Sequence, residues 1–313
     1  MDDAPTAPAI AAIDCGTNST RLLVADGDGR PVERLMRITR LGQDVDATGR
    51  LADEAIGRTL AVLREYREVM DRHGVGRGRL AATSAARDAA NGTDFLDAAG
   101  EVTGIAPELL AGVDEGRLSL AGAVADLDPA EGPFLVVDIG GGSTELVAGN
   151  GGDDPGLEVV SLQMGCVRLS ERFLATDPPT AAELAAASAE VAAQLDRAVA
   201  AHPAFLQARR MVGLAGTVST LASLEVGMDV YDRDLVHHVA LTRDAVRRWL
   251  ADLASDTAAG RLTRPGMVPG REDVIVGGVV VLEGVMTRLG FDECLVSESD
   301  ILDGLIASQV GAG

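Results

Sequence analysis

Two stretches of the chain carry the same arrangement: Ala12-Ile13-Asp14-Cys15-Gly16-Thr17-Asn18-Ser19-Thr20 and Val136-Val137-Asp138-Ile139-Gly140-Gly141-Gly142-Ser143-Thr144. Each is an apolar run, an Asp, then a loop of Gly with small hydroxyl or amide residues. A second apolar run follows each, Leu22 to Ala25 and Leu146 to Ala148. One strand–loop–strand hairpin is therefore used twice. Gly lets a backbone turn tightly and approach a ligand closely, and successive N–H groups in such a turn form a concave anion site. Thr17, Asn18 and Ser19 in the first loop are candidate phosphate contacts, as are Gly140, Gly141, Gly142, Ser143 and Thr144 in the second. Asp14 and Asp138, with Glu145 as a second carboxylate near Asp138, stand where a hard cation is held directly or through water. Two such hairpins facing each other would grip a phosphate chain and its metal from both sides.

Further candidates lie at strand-to-helix turns. In Asp114-Glu115-Gly116-Arg117, Glu115 could orient and deprotonate a water; equally, it is an acid favoured at a helix start by the macrodipole, and local sequence favours that second reading. Arg87, in Ser84-Ala85-Ala86-Arg87-Asp88, could clamp a phosphate with Asp88 orienting it, or form a surface ion pair. Arg21 and Arg271 have weaker claims of the same kind. Gly216-Thr217 opens a helix and is a third phosphate or nucleoside contact, or a site of close strand–helix packing. His73, His202, His237 and His238 make no zinc pattern with the cysteines and read as structural, with His237 and His238 pointing in opposite directions along a strand.

The elements that must position these groups follow from periodicity. Asp53 to Arg72 has helical spacing, Leu80 to Thr83 is a short strand, Asp94 to Val102 is helical, and Pro107 to Leu110 is extended. Ala111 to Gly116 turns into a helix through Leu127. Asp128 to Pro133 is a turn-rich break, which places a first domain at 1–127 and a second at 128–299. In the second, Gly149 to Gly156 is a turn tip, Thr180 to Ala201 a helix with a Thr180/Glu183 capping box, and Met211 to Leu214 a strand. Thr242 to Leu253 and Arg271 to Leu289 are helices and Cys294 to Ser297 is a last strand. The closing segment, 300–313, is a helix expected to pack back on the first domain. Strands followed by helices in both halves indicate an α/β fold.

Composition limits the chemistry. Across 313 residues there are 27 basic side chains, all Arg, against 48 acidic ones, a formal net charge of −21. The absence of Lys rules out a Walker-type P-loop and a Schiff-base lysine. The acidic balance opposes broad binding to nucleic acid. The longest apolar run, Val274 to Leu282, holds two Gly and is too short to span a bilayer. The Met-Asp-Asp start is unlike a secretory signal, and the widely spaced Cys15, Cys166 and Cys294 fit a reducing cytoplasm.

Taken in order, Asp14–Ser19, Ser84–Asp88, Glu115, the Gly-Gly-Gly-Ser-Thr-Glu-Leu run and Gly213–Thr217 resemble the exopolyphosphatase/guanosine pentaphosphate phosphohydrolase family in its short two-domain form, over residues 9–310. The resemblance implies two actin-like, ribonuclease H-like domains of the sugar kinase, heat-shock chaperone and actin superfamily, with an interdomain cleft. It implies that Glu115 is the catalytic base and that Asp14, Asp138 and Glu145 surround Mg²⁺. It makes Thr17, Asn18, Arg87 and Gly141 to Thr144 phosphate ligands, and it implies a homodimer. The usual family run at the catalytic turn has two Glu; here the first is Asp114. The expected activity is release of the terminal phosphate from inorganic polyphosphate, guanosine pentaphosphate or both. The alternatives are a kinase of the same superfamily acting on a small hydroxyl or carboxyl acceptor, and a polyphosphate or nucleotide sensor without turnover.

Overall fold

A computed structural model of the chain describes residues 7–151 and 154–310. The start read for a leader lies outside these, as do two residues of the Gly149–Gly156 turn tip and the end of the 300–313 segment. The fold divides into two units. One runs to Gly122 and takes in the chain from Ile301 onward; the other is Ala123–Asp300.

The first unit is built on five strands: β1 (Ile10–Cys15), β2 (Ser19–Ala25), β3 (Pro31–Ile38), β4 (Arg77–Ala82) and β5 (Pro107–Leu109), in the order β3-β2-β1-β4-β5. The first three form an antiparallel meander, while β1, β4 and β5 run parallel. Strand periodicity assigns the two faces. Ala11, Ile13 and Cys15 join Leu63, Tyr66 and Met70 of the Asp53–Arg72 helix on one side. Ile10 and Ala12 join Ile301, Leu302, Leu305 and Ile306 of the Ile301–Val310 helix on the other. Each large side chain buried there contributes roughly 1.5–3 kcal/mol. Arg34 adds a pair of 2.7 Å hydrogen bonds to Asp303, and Gln309 donates to the Ala11 carbonyl at 3.0 Å.

The second unit repeats the plan with β6 (Phe134–Ile139), β7 (Thr144–Gly149), β8 (Glu158–Leu162), β9 (Arg210–Leu214), β10 (Ala240–Thr242) and β11 (Glu293–Val296). Its order is β10-β11-β9-β6-β7-β8. The strands β8, β7, β6, β9 and β11 match β3, β2, β1, β4 and β5 in order and sense, with β10 added antiparallel at the edge. This is the duplicated ribonuclease H-like α/β plan.

The Val-rich segment ambiguous between strand and helix is a helix, Ile275–Leu289. It is buried nearly throughout, and its glycines mark close approaches. A Cβ on Gly278 would lie 2.2 Å from Thr217 Oγ1, and one on Gly284 2.6 Å from Val191 Cγ1. Packing on several sides outweighs the modest helix cost of β-branched residues. The Thr180/Glu183 capping box is formed at the start of the Ala181–Ala201 helix. Hydrogen bonds from Thr176 and Thr180 hold the Glu183 carboxyl at a pKa of about 2. The helix carrying Glu115 spans Gly112–Ala123, so it begins within the Ala111–Gly116 segment and stops short of Leu127.

Candidate functional site

In the first unit, the tight turn between β1 and β2 is closed by Gly16 N–H donating to the Ser19 carbonyl at 3.0 Å. The turn is held from behind by the segment after β3. Gly42 N–H donates to Thr17 O, and Thr39 and Arg40 N–H both donate to Asn18 O. A trans peptide points its N–H opposite its C=O, and none of these bonds is cis. The N–H groups of Asn18 and Ser19 therefore face away from the supporting segment, as an anion nest requires. Thr17 and Asn18 are buried, and Asn18 Nδ2 has no hydrogen-bond partner among the described residues.

The short Ser84–Asp88 helix adjoins this turn. A Cβ on Gly42 would meet Thr17 Cγ2 at 2.3 Å and Ala85 Cβ at 2.9 Å, so the glycine lets the two approach. Arg87 donates to the Leu110 carbonyl at 2.6 Å and to Glu115 Oε2 at 3.3 Å. Its Nη2 is buried without a partner among the described residues. Glu115 lies in the first turn of its helix and is only 9% exposed. A helix-start acid that served the macrodipole alone would stand in solvent, as Asp114 does beside Arg117. Asp14, Thr17, Asn18, Arg87 and Glu115 thus belong to one continuous region of the first unit. Asp14 is matched across the β1–β2 ladder to Arg21, whose Nη2 reaches it at 2.7 Å.

In the second unit, the Gly140–Gly142 loop is held by the Cys166–Phe173 helix. Cys166 N–H donates to Gly140 O at 2.9 Å, Val167 and Arg168 N–H to Gly141 O, and Gly165 N–H to Gly142 O. All three loop carbonyls point toward the helix start. By the same peptide geometry, the N–H groups of Gly141, Gly142 and Ser143 point the opposite way. Asp138 and Glu145 are paired directly across the β6–β7 ladder, hence on one face, and both are buried. Ser161 donates to Glu145 Oε1 at 2.6 Å.

Two sequence-flagged residues play parts other than expected. The Thr144 hydroxyl donates to the Met164 carbonyl at 2.9 Å in the completely buried strand, so it ties the loop to its support rather than offering itself to a phosphate. Thr20 does the same in the first unit through Thr39. At the third turn, Ala215 has φ 66°, and the place of a Cβ on Gly216 is filled by the Arg271 guanidinium. Close packing is what that glycine permits. Thr217 is buried and hydrogen-bonds the Cys166 thiol, whose pKa burial raises, so this turn abuts the helix that holds the glycine loop.

A model of the Ppx/GppA phosphatase family matches residues 23–312. The chain belongs to that family. It is 44% identical to exopolyphosphatase 2 of Mycobacterium tuberculosis over 321 residues, covering 96% of this chain and 98% of that one. Among solved structures it is similar to an exopolyphosphatase-like protein, with a TM-score of 0.91 and 36% identity across 97% of this chain and 99% of that one. It is also similar to the Ppx/GppA family member of Aquifex aeolicus, with a TM-score of 0.79 and 32% identity across 97% of each chain.

This Ppx/GppA chain also carries a cluster that sequence reading misplaced. His237 and His238 do not point apart along a strand: His238 has φ 65°, which turns its ring back onto His237, and the rings stack with centroids 3.8 Å apart. With Asp126 they bring three donor atoms within 4.8 Å of one another. The Glu298 N–H donates to His237 Nδ1 at 3.1 Å, so Nε2 carries the ring proton and donates to Asp126 at 2.8 Å. That tautomer turns a proton, rather than a lone pair, toward the cluster. Burial, then the neighbouring His237, lowers the His238 pKa. The set is a structural hydrogen-bonded group. Sequence reading passed over the supports of both hairpin loops, the 39–42 turn and the Cys166–Phe173 helix; their one signal was Gly42 and Gly165, each closely packed against a loop.

Proposed function

We propose that this protein hydrolyses the terminal phosphoanhydride of inorganic polyphosphate, with guanosine pentaphosphate as a second substrate. The observation that carries the proposal is a pair of buried donors in the first unit, Asn18 Nδ2 and Arg87 Nη2, without acceptors of their own and in the region of the buried Glu115 carboxylate. Buried donors left unmatched cost about 1–3 kcal/mol each, and phosphate oxygens satisfy them. The name of the M. tuberculosis relative points the same way.

Glu115 holds a water and takes its proton as the oxygen attacks the terminal phosphorus. The bond to the bridging oxygen breaks, and the shortened chain leaves with that electron pair. Arg87 and the outward N–H groups of Asn18 and Ser19 hold the phosphoryl oxygens, so the work is positioning and charge stabilisation. Asp138 and Glu145, two buried carboxylates on one sheet face, fit a divalent cation, which we propose is Mg²⁺. Held there, the ion would supply charge neutralisation for bound phosphate. Asp14 is already matched to Arg21 and has the smaller share in holding it. The reading places the protein in the cytoplasm as a homodimer.

The test is phosphate release from short polyphosphate, long polyphosphate, guanosine pentaphosphate and ATP, each with and without Mg²⁺. Release from polyphosphate with Mg²⁺ and no organic acceptor is expected. Phosphate transfer only when a hydroxyl or carboxyl acceptor is added would make the protein a kinase, and binding without any release would make it a sensor.

A further inference from the structure

The glycine loop of the second unit cannot hold its own shape. Three successive glycines carry no side chain to pack and have the widest backbone freedom of any residues. What fixes them is the start of the Cys166–Phe173 helix, through the four N–H···O=C bonds described above. The approach is very close: a Cβ on Gly165 would lie 2.3 Å from both the carbon and the oxygen of Gly141.

One side chain joins this backbone clamp. Arg168 is 9% exposed, and its Nε donates to the Gly142 carbonyl at 2.7 Å. That distance is short for an N–H···O bond and typical of a charge-assisted one. The carbonyl it grips belongs to the same peptide unit as the Ser143 N–H. Fixing one end of a planar unit fixes the other. The guanidinium thus aims an N–H it does not touch. Its positive charge behind the loop further favours an anion in front of it, since the low-dielectric surroundings screen little.

We propose that Arg168 is the positioning residue of the glycine loop: it orients the Gly142–Ser143 peptide for phosphate binding, acting through Gly142 rather than on substrate. The inference rests on the phosphohydrolase reading for its kinetic consequence but not for its structural one. First-unit geometry provides the control, because there the equivalent carbonyls of Thr17 and Asn18 are gripped by the N–H groups of Thr39, Arg40 and Gly42.

The experiment is amide hydrogen exchange on the full-length protein, read over peptides covering the donor N–H groups of the two clamps, 164–169 and 38–43, alongside kinetics with tripolyphosphate. Arg168→Lys keeps the charge and removes the planar Nε–H. Exchange at 165–168 should rise about tenfold or more, as expected when a local restraint is lost, while 39–42 stays unchanged. KM for tripolyphosphate should rise about tenfold, the scale of a charged hydrogen bond, with a smaller fall in kcat. Arg168→Gln, which keeps an N–H at the position of Nε but loses the charge, should fall between wild type and Arg168→Lys. Unchanged exchange at 165–168 in a folded variant overturns the proposal, as does a kcat loss with KM and exchange both unmoved, which would put Arg168 on the substrate. Unfolding of both variants also overturns it, by making the residue a support of the whole unit. If the wild type releases no phosphate from tripolyphosphate, the substrate reading fails, and the exchange result still decides the role of Arg168.

Discussion

The turns Asp14–Arg21 and Asp138–Glu145 occupy the same place in two sheets of the same strand order, yet they close with opposite charges. In the first unit the residue across the ladder from Asp14 is Arg21, and the pair is an ion pair at 2.7 Å. In the second the residue across from Asp138 is Glu145. Both carboxylates are buried on one sheet face. The first unit carries the Glu115–Arg87 pair instead. On the proposed function the duplicated scaffold is divided by role: one copy would aim a base, the other would present two carboxylates behind outward N–H groups.

The largest expected effect tests the first unit's half of that division. Glu115→Gln should lower phosphate release by about 10²–10⁴-fold, the usual worth of a positioned base, while phosphate binding measured by calorimetry persists. A variant with full turnover would remove the division altogether. Next come two substitutions at matched positions, read in a Mg²⁺ titration of phosphate release. Glu145→Gln should raise the half-saturating Mg²⁺ concentration by at least the roughly 10–100-fold that even a supporting residue commands. Arg21→Gln should leave it unchanged or lower it, by releasing Asp14. Equal responses would mean that both turns share the ion alike.

What could be read from the residues alone has a physical pattern. The two hairpins were legible because apolar alternation, Asp and Gly coincide within a few residues. The strands β3 and β8 were not. Pro31–Ile38 carries Glu33, Arg34 and Arg37 on a half-exposed sheet edge, and Glu158–Leu162 is half-buried throughout, so neither shows a clean two-residue period. The Cys166–Phe173 helix is short and begins on a glycine whose partners are loop carbonyls far away in sequence. Glu115 looked like an ordinary helix-start acid, since its burial beside Arg87 depends on the Leu110 turn and the Ser84–Asp88 helix. His237 and His238 were misread because a left-handed backbone at a non-glycine residue leaves no trace in composition.

Smaller effects sharpen the comparison at the loop supports. Gly165→Ala sets a Cβ against the Gly141 backbone, whereas Gly42→Ala sets one against side-chain atoms alone, those of Thr17 and Ala85. Overpacking costs about 1–3 kcal/mol, and Gly165→Ala should lie at the upper end in urea unfolding, with Gly42→Ala below it. Smallest is Thr180→Ala, which removes the N-cap of the Ala181–Ala201 helix. A loss of about 1 kcal/mol is expected, with unchanged phosphate release, because that helix end takes no part in either turn.

Arg87 and Glu115 of the first unit, 3.3 Å apart, are proposed to act on one phosphoanhydride. A double-mutant cycle on phosphate release from tripolyphosphate, combining Glu115→Gln with Arg87→Gln, tests this directly. Groups that serve one transition state are strongly non-additive, so the double variant should be far less impaired than the product of the two single losses. Losses that simply multiply would contradict a shared reaction.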